Sequence, residues 1–288
     1  MASFDVGDIL IAGPRYFGCY RSAAERVKVV DSGRGPYYGI SWSDTEVYCL
    51  ARNGNRGELI MVFDESFELK RVMQLGRPID GHQILLHGDQ LLVTATSENS
   101  ILSFDLRTDR IRPWNWTNQT NDVNHINGLF IHPCGKTEVS QDNKKGNYSE
   151  VVTFSEPFGY ELGRRIIGSV DQGTHNIEGE MIVASGDVSS LFLDSNGACK
   201  EVYRNAGFFR GLARAANQLG EEVVLLGRSE IKMRHERGLE LPCVITALLR
   251  DGFQEIGELV IPDLGQIYEI RTTDPEYSHN GITVPLAD

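Results

Sequence analysis

The chain has 288 residues, 40 of them Asp or Glu and 28 Lys or Arg, for a formal net charge of −12. That acidity argues against nonspecific nucleic-acid binding, which needs a basic face, and no apolar run of ~18 residues is present to span a membrane. With 41% hydrophobic and 24% charged residues the composition is that of a folded globular protein, long enough for one large all-β core.

The opening segment, MASFDVGDILIAG, has no basic region before its apolar stretch and carries Asp5 and Asp8 inside it, so it does not read as a secretory leader. Cys19, Cys49, Cys134, Cys199 and Cys243 make an odd count without a CxxC pair, which fits reduced thiols in a cytoplasmic setting. The sequons at Asn115, Asn118 and Asn147 then carry little weight.

From the N-terminus, short β-rich runs at 8–13, 16–21 and 27–31 are closed by Gly, Asn or Asp turns. The pattern continues through YYGISWSDTEVYCLAR, GELIMVF, HQILLHGDQLLVTATSENSILSFDLRTD and EMIVASGDVSSLFLDSNG. Alternation over 4–8 residues with turns between marks antiparallel strands. The best helical fragments, SAAERV at 22–27 and RAANQLGEE at 214–222, are too short to form a layer.

A longer period lies above the strands. Tyr38-Gly39-Ile40, His82-Gln83-Ile84, Asn127-Gly128-Leu129, His175-Asn176-Ile177, Arg210-Gly211-Leu212 and Tyr268-Glu269-Ile270 share one small pattern and recur 35 to 58 residues apart. Such a period, with about four strands per unit, points to an all-β, six-bladed β-propeller. The alternatives are a β-sandwich or several small β units. The expected blades span 36–76, 79–116, 124–170, 174–204, 208–262, and 266–288 joined to 4–32, one domain over 1–288. The last would be built from both termini, leaving no open sheet edge. Residues 115–124 and 140–149 read as polar loops, and 228–242 as a charged excursion within the fifth blade.

In a propeller the first strand of each blade lines the central channel, so the recurring positions converge. They bring together Tyr38, His82, Asn127, His175, Arg210 and Tyr268, with His125 two residues before Asn127. His82, His125 and His175 could hold a divalent ion (Zn, Fe, Mn or Ca) through neutral imidazoles, or simply line a wet channel. Arg210 could grip a carboxylate or phosphate, or pair with Glu269 or Glu178. Glu269 becomes a general base if its strand register turns it inward. Arg228 and Arg234 either cover an anion or belong to a solvated loop. Cys134 reads as a turn residue, and Trp114, Trp116, Phe208 and Phe209 as core or pocket wall. No P-loop, no strand-borne GxGxxG and no GxSxG occurs.

Two family resemblances follow. NHINGLFIHPCGKTEV resembles the N-G-L-x-x-P-D-G-K turn of gluconolactonase/regucalcin propellers, which implies a ligand role for Asn127. That family's inner-strand Glu and Asp are matched here by Tyr38 or Gly39 and by Arg210. A longer resemblance, across 80–274, is to an uncharacterised bacterial propeller family. It rests on Asp80-Gly81-His82, His125-Ile126-Asn127-Gly128-Leu129, Thr174-His175-Asn176, Gly207-Phe208-Phe209-Arg210-Gly211-Leu212-Ala213, Leu226-Gly227-Arg228-Ser229 and Tyr268-Glu269-Ile270. It implies the fold and no reaction. The expectation is a metal-dependent hydrolase, lyase or isomerase for a small anionic substrate. His82, His125 and His175 would hold the metal, Asn127, Arg210, Tyr38 and Tyr268 the substrate, and Glu269 and Arg210 would act in catalysis. The alternative is a non-catalytic ligand- or protein-binding propeller.

Overall fold

The computed structural model describes residues 5–117, 121–143, 148–169, 173–185, 188–195, 198–230, 241–274, 276 and 277. Among these residues, 24 β-strands form six four-stranded antiparallel sheets, and the helical structure is three single turns at 22–24, 54–56 and 96–98. The sheets are the blades of a six-bladed β-propeller. Their inner strands are β4 (Tyr37–Trp42), β8 (Gly81–His87), β12 (Ile126–Ile131), β16 (Gly173–Glu178), β20 (Phe208–Ala216) and β24 (Glu269–Thr272), and each packs against the inner strands of both neighbouring blades.

The ring closes through its termini. Strand β24 pairs with β1 (Ile9–Ala12), which continues into β2 (Tyr16–Arg21) and β3 (Arg26–Ser32). The register runs from Ile9 opposite Thr272 to Ala12 opposite Glu269. A strand from one end of the chain is thus clamped by three from the other, and β1 has no exposed inner edge.

The core lies between blades rather than within one centre. Six apolar clusters occupy the six interfaces. The period-2 alternation of a strand explains why ILIA is apolar throughout: Ile9 and Ile11 pack against the fifth blade, while Leu10 and Ala12 pack against the first. Burying each of the three larger side chains stabilises the fold by about 1.5–3 kcal/mol.

Two fragments with helical character fold otherwise. Residues 22–24 make a single turn before β3, and 214–216 finish β20, with Asn217–Gly220 turning into β21 (Glu222–Ser229). Both are hairpin connections, where cross-strand pairing prevails over weak local propensity. The polar segment 140–149 also differs from expectation: Ser140–Asn143 end β13 (Thr137–Asn143), and 148–149 begin β14 (Tyr148–Phe154). Its polar residues are tolerated inside because Gln141 Nε2 donates to Glu150 Oε1 at 2.6 Å.

Candidate functional site at the channel mouth

The recurring tripeptide has a local structural cause. In five inner strands the ladder slips at that position: between Tyr37 and Ile40, Gly81 and Ile84, Ile126 and Gly128, Thr174 and Asn176, and Phe209 and Leu212. Each slip is a β-bulge, which bends the strand and re-aims its extra residue. The residues caught in these bulges include Tyr38, His82, Asn127, His175 and Arg210. Where the bulge holds two residues, the second packs against or bonds to a neighbouring inner strand. Gln83 Oε1 accepts from the Leu129 backbone N–H at 2.5 Å, and the Cβ of any residue replacing Gly39 would lie 2.2 Å from the Ile84 nitrogen. Asn176 in β16 makes the same kind of stitch, accepting from the Gly211 N–H at 2.8 Å.

The expected rim residues do meet. The rings of Tyr38 and Tyr268 stack with centroids 4.7 Å apart, and the Arg210 guanidinium lies 4.6 Å from the Tyr268 ring and 5.3 Å from the Tyr38 ring. His82 stands edge-on to Tyr38 and to His125, 5.5 Å from each. Arg210 Nη2 hydrogen-bonds His82 Nδ1. Asn127 is buried in its bulge. His175 holds the equivalent backbone place in β16; its side chain lies outside the described residues, as do Arg234, His235 and His279.

Three residues complete the mouth that the channel periodicity did not single out. Arg52, at the end of β5 (Val47–Arg52), covers the other side of Tyr38 at 4.2 Å and ion-pairs with Asp80 at 2.5 Å. Arg52 is itself positioned by the buried Glu58, 3.5 Å away, whose carboxylate also accepts the backbone N–H groups of Ile79 and Gly81. Asp122 holds His125 Nδ1 at 3.0 Å. Asp80 and His125 both have left-handed backbones, with φ of 52° and 41°. Non-glycine residues in that region are strained and gather at functional sites.

The electrostatics follow from this packing. A guanidinium only donates, so Nδ1 of His82 accepts and the ring proton sits on Nε2. That nitrogen is buried without a hydrogen-bond partner, 3.8 Å from Asp80 Oδ2. Burial, reinforced by the Arg210 charge and only partly opposed by Asp80, pushes the His82 pKa down to about 3. Burial alone would raise the Asp80 carboxyl, but His82, Arg52 and His125 outweigh it and hold it well below the usual carboxylate range. An NMR titration should therefore find the His82 ring neutral from pH 8 to pH 5. A His82 signal titrating near 6.5, the ordinary histidine value, would contradict this packing.

In this arrangement His82 has no lone pair left for an ion. The donor set open to one is Asp80, Asp122 and His125, whose ligand atoms lie within 4.8 Å of one another. Two carboxylates and an imidazole suit a divalent cation, and His82 Nε2–H faces the Asp80 carboxylate of that set from 3.8 Å.

Other expectations resolve as structure. Arg228 pairs with Glu258 across the fifth blade. Trp114 and Trp116 pack with Phe154 between the second and third blades, and Phe209 is core. Cys134 is exposed in the turn that links His132 to Lys136.

Neither a protein-family model nor a curated protein matches the sequence. Likeness of fold is extensive. A chain in the crystal structure of a nidogen/laminin complex superposes with a TM-score of 0.63 at 13% identity, over 92% of this chain and 97% of that one. A structural-genomics protein from Lactobacillus plantarum gives 0.54 at 9% identity, over 92% and 98%. The Pan2 WD40 domain of Neurospora crassa gives 0.53 at 9%, over 84% and 70%. At such identities the shared property is the fold, so the class is defined as a six-bladed β-propeller. No helix among the described residues is long and apolar enough to cross a membrane.

Proposed function

We propose that the channel mouth is a divalent-metal site that binds a small anionic substrate, and that the protein is a metal-dependent enzyme of hydrolase, lyase or isomerase type. The observation that carries this reading is the juxtaposition of Asp80, Asp122 and His125 with the Arg210 guanidinium over Tyr38 and Tyr268. When bound, the metal would polarise a carbonyl or activate a water. Arg210, oriented by His82 and by two ring faces, would fix the anion, since a pre-set guanidinium loses little freedom on binding. Arg52 would hold Asp80 in place, and Asp122, which faces His125 Nδ1 at 3.0 Å, would bring that ring to the ion. Five free cysteines, three of them buried, support a cytoplasmic setting.

The test is calorimetric titration of untagged protein with Mn²⁺ and Zn²⁺. Wild type should bind about one ion per chain, and Asp122→Asn should bind at least tenfold more weakly. Equal affinities for the two proteins would remove the metal site and leave the alternative, a non-catalytic propeller that binds a ligand or protein at its mouth.

A further inference from the structure

Below the rim the channel is occupied by three charged side chains. Glu178 at the end of β16, and Glu269 and Arg271 in β24, are all buried. Arg271 Nη2 lies 2.7 Å from Glu269 Oε1, and its Nη1 lies 3.5 Å from Glu178 Oε2. Its Nε donates to the Ile40 carbonyl in β4 at 3.5 Å. The guanidinium therefore reaches from the sixth blade to both the fourth and the first. Glu269 follows the rim residue Tyr268 directly, whereas Glu178 and Arg271 lie three residues down their strands, about 10 Å deeper at a strand's rise.

Among the described residues the charges of this trio do not balance. Two carboxylates face one guanidinium, and neither oxygen of Glu269 accepts an aligned hydrogen bond. A buried uncompensated charge costs several kcal/mol, and taking up a proton removes it. Among the described residues, the other charged or titratable groups named around the pair are Arg210 and Cys49 for Glu269, and Arg214 and Glu180 for Glu178. Arg214 is already paired with Glu222 at 2.7 Å, and Arg210 is directed to His82.

We propose that Glu178 and Glu269, bridged by Arg271, share one exchangeable proton, and that Glu269 is the acid–base group serving the mouth. The second half rests on the substrate site proposed above. In the forward direction the O–H bond of the Glu269 carboxyl breaks, the proton passes to a basic atom of the bound anion, and a carboxylate remains that Arg271 and Arg210 stabilise. The reverse step withdraws a proton from the substrate. Burial, opposed by these arginines, raises both carboxyls above the ordinary glutamate value, so the pair can give or accept a proton near neutrality.

The experiment needs no substrate. Infrared spectroscopy of the ligand-free protein at pH 6.5 should show a carbonyl band of about one protonated carboxyl per chain that disappears by pH 9. Glu178→Gln and Glu269→Gln should each abolish the band at pH 6.5, because one carboxylate opposite one guanidinium requires no proton. Transfer to D₂O should shift the band within seconds, as expected for a proton reachable from the mouth. A band missing from wild type, or retained in both variants, overturns the shared proton. An exchange time of hours overturns the acid–base role and leaves a structural proton. If a variant fails to fold, the wild-type titration and exchange time still decide both points. Asp122→Asn should leave the band untouched, so failure of the metal site and failure of the proton pair are read separately.

Discussion

Gly39→Ala is expected to lower unfolding stability by about 3 kcal/mol or more, a severe effect for the smallest possible substitution. An added Cβ would stand 2.2 Å from the backbone nitrogen of Ile84, 2.7 Å from the Gln83 carbonyl carbon and 2.8 Å from the Gln83 Cα. All three are main-chain atoms of the neighbouring inner strand, so no side chain can rotate away. Overpacking a dense interior costs about 1–3 kcal/mol even when side chains can adjust, and here two blades must separate. The same shift would move Tyr38 off its stack with Tyr268 and disorder the mouth. Gly163→Ala is the control, since its Cβ would meet nothing within 4 Å and its backbone is not left-handed. Denaturant unfolding of both variants decides the matter. Equal midpoints would mean that the blades are not in the close contact described.

The residues in contact across this interface also show what sequence alone can reveal. Strand alternation, Gly and Asn turns and the recurring tripeptide were enough to expect six blades and terminal closure, because each depends on local periodicity. The same periodicity marked Tyr38, His82, Asn127, His175, Arg210 and Tyr268 as one ring, and the shared bulge supplies the reason in five of the six cases. It could not mark Arg52, which sits at the end of a second strand and reaches Asp80 in the next blade across 28 residues. Asp80 and Asp122 left a faint signal, each a carboxylate two or three residues before a rim histidine. Treating 115–124 only as a polar loop hid Asp122. Glu269 posed a different problem: a one-residue error in register would have reversed its direction. Only the pairing of Ala12 with Glu269 and the contact with Arg271 place it inside. For Arg210 the sequence left two readings open, a grip on an anion or a pairing with Glu269 or Glu178. Arg210 bonds His82, and Arg271, which carried no motif, is the arginine that lies against both glutamates.

Removing that second arginine should expose the cost of the arrangement. Arg271→Met is expected to destabilise the protein by about 3–5 kcal/mol at pH 8, the usual penalty for stripping the partner from a buried charge. At pH 5 the loss should be much smaller, and the sign follows from linkage. Both glutamates bind protons more tightly in the folded state than in the unfolded chain, where they ionise near 4.5. Above that value, up to the raised ionisation of the folded pair, the native state holds more protons than the unfolded state, so stability falls as pH rises. Without the guanidinium the folded affinities climb further and the fall becomes steeper. Met keeps much of the arginine's apolar length, so lost packing contributes little to the comparison. Adding Glu178→Gln and Glu269→Gln to Arg271→Met should recover most of the loss at pH 8, because a neutral trio has no buried charge to pay for. Thermal or urea unfolding at the two pH values separates the causes. A penalty of equal size at pH 5 and pH 8 would mean that Arg271 holds the channel by shape and not by charge.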